Sequence, residues 1–177
     1  MRRNGIVGLA LAAALALAAP QARADTGDAW LTTKVKIALL TADGVSASAV
    51  NVDSQEGAVT IHGKVKTEAE KAKAESVARQ VEGVKEVKNL LQVVPESARK
   101  VVERADDQIR DAVVAAFKAN KRVNDSGIKV QSVNKGVVLL AGKTDSLQAH
   151  LDAVKVANAV PGVKRVATEV QVTGGTE

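Results

Sequence analysis

Hydrophobic and polar positions alternate along this chain in a pattern that is written out twice. Between Asp28 and Leu40 the apolar residues Leu31, Val35, Ala38 and Leu39 recur at the spacing that lines one face of a helix. Asp28 stands where an N-cap belongs. A short strand follows around Val50–Asp53. A second strand carries Val59, Ile61 and Val65 at alternate positions, the period-2 signal of a sheet with one buried face. The intervening His62 then falls on the outward, solvated face. Between the strands "SQEG" predicts a turn in which Gly57 takes positive φ without steric cost. Gly63 shares the inward face of the second strand and leaves room for another backbone or helix to come close. Thr67 and Glu70 spell a capping box, T-x-x-E, opening a second helix lined by Ala74, Val77, Ala78 and Val81. Gly83 reads as its C′ residue. Val87, Leu91 and Val93 then alternate along a last strand. A right-handed crossover places that strand parallel to the second.

The same five elements return. "VEGVKEVKNLLQV" (Val81–Val93) and "VPGVKRVATEVQV" (Val160–Val172) agree at seven of thirteen positions, 79 residues apart. "AVTIHGKV" matches "VVLLAGKT" at that offset, with Gly136, Gly142 and Gly162 in place of the glycines above. Upstream the offset is 78. Leu31, Val35 and Leu39 fall on Ile109, Val113 and Phe117, and the cap Thr67 becomes Ser146. One extra residue in "VQSVNKG" relative to "VDSQEG" accounts for the change, and the pattern puts it in the turn. A repeat of this length with two copies reads as two small domains in tandem. The fold class is therefore α+β: two tandem αββαβ domains, each a three-stranded mixed sheet with two helices packed on one face. The boundaries are a signal peptide over 1–24, the first domain over 25–94, a linker over 95–105, the second domain over 106–173 and a tail over 174–177. After Pro95 the linker reads as helical, lengthening the first helix of the second domain. Units this small bury only about 60% of the surface their unfolded chains expose, so packing of one against the other would help both.

The N-terminus changes the charge balance. Arg2 and Arg3, a 14-residue apolar run from Ile6 to Ala19 and the small-residue exit Ala22-Arg23-Ala24 form a secretory leader. The run is short of the roughly 20 residues that span a bilayer. Cleavage after Ala24 leaves a periplasmic chain of 153 residues in which 22 Lys+Arg face 20 Asp+Glu, a net charge of +2. With no cysteine, the processed chain carries neither a disulfide nor an acylated N-terminal thiol, and is expected to be soluble. Near-neutral charge and only two aromatic residues, Trp30 and Phe117, exclude a base-stacking nucleic-acid binder.

Candidate chemistry is sparse. His62 and His150 lie far apart with no clustered carboxylates, so neither a metal site nor a cofactor site is expected, and nothing points to an enzyme. Phe117 aligns with Leu39 and reads as core. Trp30 falls beside the apolar stripe, where it either packs between the units, the reading preferred here, or forms an exposed contact. In the second domain 10 Lys+Arg oppose 7 Asp+Glu. The excess includes Lys118, Lys121 and Arg122 at the end of a helix and Lys129 beyond it. Cations there complement the helix dipole. They would also attract an anionic lipid surface. Trp30, Lys118, Lys121, Arg122 and Lys129 are the candidate lipid or partner contacts.

The glycine-spaced second strand (Gly57, Val59, Gly63, Val65; Gly136, Val138, Gly142) and the endings "GVKEVKNLLQV" and "GVKRVATEVQV" resemble BON domains. Thr168 stands where that pattern prefers asparagine. The resemblance covers nearly all of the chain after the leader. It implies a tandem-BON envelope protein of a Gram-negative bacterium, induced by osmotic or envelope stress, with no attributed catalysis. Phospholipid surfaces are the implied partner; the alternative is a periplasmic chaperone or adaptor for envelope proteins. The absence of cysteine departs from lipidated two-domain relatives.

Overall fold

The computed structural model describes residues 24–174, with side chains from Gly27 onward. Residues 1–23, all but the last of the expected leader, and residues 175–177 lie outside the described residues. Helix α1 (Ala24–Thr41) precedes strands β1 (Val50–Gln55) and β2 (Ala58–Val65), helix α2 (Glu68–Arg79) and strand β3 (Glu86–Val93). The second unit repeats this as α3 (Arg99–Ala119), a one-turn α4 (Lys121–Asn124), β4 (Gly127–Asn134), β5 (Val137–Thr144), α5 (Leu147–Asn158) and β6 (Arg165–Val172). Each sheet has three strands with the hairpin's second strand in the middle: β1 pairs with β2 antiparallel and β3 joins β2 parallel, and β4, β5 and β6 do likewise.

One face of each sheet carries its helices. Leu31, Val35 and Leu39 of α1 and Ala74 and Ala78 of α2 pack on Val52, Val59, Ile61, Val65 and Leu91. Val113 and Phe117 of α3 with Ala153 and Ala157 of α5 do the same over Val138 and Leu140. The buried alanines bring α2 and α5 close to their sheets. Thr67 Oγ1 accepts the Glu70 amide and Ser146 Oγ the Ala149 amide, as the caps predict. The Glu70 carboxylate, instead of closing the box on Thr67, accepts the amides of Lys66 (2.8 Å) and Ser46 (2.6 Å), tying the helix start to the loop before β1.

Three local readings change. Helix α1 begins four residues before Asp28, so Asp28 is not a cap. Its carboxylate accepts from the amides of Glu56 (2.9 Å) and Gly57 (3.4 Å), clamping the β1–β2 turn, where both residues have positive φ. Asp106 repeats the clamp on Lys135 (2.9 Å) and Gly136 (3.0 Å). Helices α2 and α5 close at Gln80 and Ala159, so Gly83 and Gly162 serve the turns after them, also at positive φ. The extra residue of the second unit is Gln131, and it sits within β4 as a bulge between Val130 and Ser132, not in the turn. A bulge absorbs one residue while leaving the hairpin's closing turn intact. Gly63 does what its position implies: it lies at φ 136° and any Cβ would strike the Ala49 carbonyl, as one on Gly142 would strike that of Gly127.

The other face of each sheet is covered by the other domain. Leu90 of β3 packs with Leu139 of β5 and Ala167 of β6 in a small apolar cluster of its own. Around it, Lys88 Nζ donates to the Thr168 carbonyl and Lys135 Nζ to the Val93 carbonyl. Lys64 Nζ lies 2.9 Å from Asp106, which is only 2% exposed. The layers therefore run helices, sheet, sheet, helices, with the seam between the sheets.

Two substitutions test this. Gly63→Ala combines a positive φ with a backbone collision and should lower stability by on the order of 2 kcal/mol or more, read from the urea midpoint. Asp106→Ala leaves Lys64 without its partner in the seam and should cost about 3–5 kcal/mol. Asp28→Ala, at the equivalent but more open clamp, should cost only about 1 kcal/mol. Equal losses at the two positions would refute the seam's part in holding Asp106.

Candidate functional site

Neither histidine stands free in solvent: His62 is buried and His150 half-buried. His62 is 4% exposed because the outward face of β2 is the seam. Its Nε2–H donates to Asp53 of β1 at 2.9 Å, and Nδ1 has no hydrogen-bond partner among the described residues. The bond from His62 holds the Asp53 carboxyl below the usual aspartate range, against the effect of burial. Gln131, standing out on its bulge, reaches Asp53 from the second domain at 3.4 Å. Glu169 of β6 lies in the same seam, on a cleft of about 470 Å³ shared with Thr60, Lys88 and Thr168. Burial pushes the Glu169 carboxyl above the usual glutamate range; the Thr60 hydroxyl, Lys88 and His62 pull it back, and the Asp53 charge adds to the rise.

His150 of α5 bonds Thr168 through Nε2 at 2.8 Å. That contact explains the residue type at this motif position. In the first domain Asn89 of β3 donates to the Lys71 carbonyl and to Glu75 on α2, while its Oδ1 accepts the Leu91 amide at 3.0 Å. Thr168 of β6 accepts the Val170 amide and binds His150. Both side chains hold the edge strand to the helix above it and occupy an edge amide that could otherwise pair with another strand. The motif position is a fastening, and threonine with a histidine partner serves as well as asparagine.

The proposed contact residues separate into two places. Trp30 does not pack between the domains. It is 61% exposed on the outward side of α1, with Lys34 Nζ 6.0 Å from the ring centroid. Ile37 (54% exposed) and Leu40 (70%) follow it at helical spacing on the same side. Lys118, Lys121, Arg122 and Lys129 are all exposed, but they lie on the second domain, at the end of α3, in α4 and in β4. Lys121 pairs with Asp125 at 2.6 Å, and Arg122 pairs with Asp152. Those pairs leave Lys118 and Lys129 as the members of this group without an ion pair among the described residues.

The residues that sequence reasoning missed are those of the seam: Asp53, Lys64, Lys88, Asp106 and Glu169. A signal for them exists. Strand β5 reads "VVLLAG", apolar on both faces, which marks a strand buried on two sides. Among the described residues no group of three or more His, Cys, Asp or Glu could hold a metal ion. No described helix is long and apolar enough to cross a membrane. The arrangement presents a polar seam within and an apolar, lysine-flanked helix face without.

Comparison with known proteins agrees with the duplication. The BON domain model matches residues 27–95 and again 105–174. The chain is 34% identical over 146 residues to the Osmotically-inducible protein Y of Escherichia coli K12, covering 81% of this chain and 72% of that one. It is 35% identical over 117 residues to the Outer membrane lipoprotein DolP of Haemophilus influenzae, covering 66% of this chain and 59% of that protein. A solved C-terminal domain of CdsD, a structural protein of the Type III secretion system of Chlamydia trachomatis, aligns with a TM-score of 0.32 at 16% identity over 82% of this chain and 66% of that one, too slight a likeness to carry an argument. On the strength of two matched repeats and a relative of one-third identity over most of both chains, this chain belongs to the BON-domain family.

Proposed function

We propose that this is a periplasmic protein of the osmotic and envelope stress response, exported by a leader removed after Ala24, that acts without catalysis by touching phospholipid surfaces. The relatives' names support the setting: one is osmotically inducible, the other an outer membrane lipoprotein. The observation that carries the contact is the outward face of α1, where Trp30, Ile37 and Leu40 stand exposed beside Lys34 and Lys36. An indole suits the boundary between headgroups and acyl chains, since its ring is apolar and its N–H polar. An amphipathic face of this kind lies in the interface and does not span it. Lys118 and Lys129, with Lys121 and Arg122 held by their aspartates, add a weaker attraction for anionic lipid from the second domain.

Co-sedimentation of the processed chain with vesicles containing phosphatidylglycerol tests the reading. Trp30→Ala should weaken binding by about tenfold through lost apolar burial while leaving the melting temperature within a degree or two. Lys118→Gln with Lys129→Gln should weaken it less, and its effect should fade at high salt, where exposed charges are screened. Absence of vesicle binding, with suppression of aggregation of a denatured outer-membrane protein, would instead support the chaperone reading.

A further inference from the structure

The seam has a composition unsuited to a fixed interface. Its buried apolar cluster is three residues, Leu90, Leu139 and Ala167. Around that cluster lie ionisable groups and neutral polar ones such as Thr60, Thr168 and Gln131. Asp53 and His62 face it from β1 and β2, Lys64 from β2 and Lys88 from β3, with Lys36 of α1 close enough to act on Asp53; Glu56, Lys85 and Glu86 of the same domain line the cleft that holds Glu169. From the second domain come Glu169 of β6, Asp106 of α3, Lys135 of the β4–β5 turn and the neutral Gln131 of β4, and Arg110 of α3 lines the neighbouring cleft. Three ion pairs tie some of these charges: His62 with Asp53, Lys64 with Asp106, and Arg110 with Asp107 on its own helix. Glu169 has no cation within ion-pair distance among the described residues, and it stands near the carboxylate of Asp53. We propose that the seam is a proton-operated clasp between the two domains, with the Glu169 carboxyl as its trigger.

The direction follows from linkage. His62 and Asp53 sit on one hairpin, so their bond to each other persists whether the domains are closed or apart; closure also buries His62 and brings Gln131 to Asp53, changes that the parent and Glu169→Gln share. Glu169 belongs to the other domain, and its surroundings change when the seam opens. Closure withdraws it from water and brings it towards Asp53, so the closed form holds the Glu169 proton more firmly than the open form does. Closure is therefore strongest below the ordinary glutamate value of 4.5 and weakens as pH rises through the elevated value of the closed form. Within that window one proton changes the ratio of open to closed molecules by up to about tenfold per pH unit.

The chain contains no cysteine, so a pair can be introduced at exposed ends of β2 and β6 as Ala58→Cys and Arg165→Cys and spin-labelled. Interdomain distances are then read from pH 5 to pH 8 at constant ionic strength. In the labelled parent a short, narrow distance should dominate at pH 5, and a longer component should grow towards pH 8. Glu169→Gln, neutral throughout, should keep the short distance at pH 8. Lys88→Gln withdraws a cation that favours the ionised carboxylate, so the change between pH 5 and pH 8 should widen beyond the parent's. Comparing the two pH values within each variant removes any pH-independent loss. A parent whose distances do not move with pH would overturn the proposal. So would a pH response of full size in Glu169→Gln, or one no larger than the parent's in Lys88→Gln.

Discussion

A three-stranded sheet has two faces, and a pair of short helices covers only one of them. The rest of this molecule follows from that constraint. Alanine-rich α2 and α5 lie close to their sheets but bury little area, so each unit alone would leave half of its strands wet. Stacking the uncovered faces solves the problem for both units at once. It also explains why residues such as His62 and Thr60, placed on the polar side of a strand, are nonetheless buried. The cost appears in the chemistry of the seam, where polar residues meet under partial desolvation and must find one another: His62 with Asp53, Lys64 with Asp106.

Within each unit the fold was legible because local signals agree. The alanine stripes, the Thr67 and Ser146 caps, the hairpin glycines and the parallel crossover each point to the same αββαβ arrangement, and the structure has it twice. What failed to show was whatever depends on the partner unit. Period 2 along β2 separates two faces without saying that the second is also covered, so His62 read as solvated. Trp30 misled in the opposite sense, since a large aromatic beside a core stripe suggests burial. Asp28 looked like a cap because an aspartate before an apolar run usually is one; its true acceptor role needs a turn 28 residues away. The bulge at Gln131 was visible only as a change of offset, and no rule of turns or strands says which side of a hairpin absorbs an added residue.

The two copies have diverged in what they do for each other. Asp28 and Asp106 hold equivalent turns, yet only Asp106 faces a lysine across the seam. Asn89 and Thr168 fasten equivalent edges by different bonds. The bulged strand belongs to one copy and sends Gln131 across to the other. Duplication thus supplied one architecture and two surfaces: an inner one that specialised for mutual recognition, and an outer one on which α1 alone presents a tryptophan. A protein built this way can alter its exterior without disturbing either core, because the helix positions facing outward take no part in the packing beneath.

Trp30 is the sole tryptophan, and the chain has no tyrosine. With that indole already in solvent, ultraviolet-excited emission from this molecule is nearly blind to the melting of either core. It is instead a built-in reporter of whatever settles on the outer side of α1, shifting to the blue only when something drier than water arrives there.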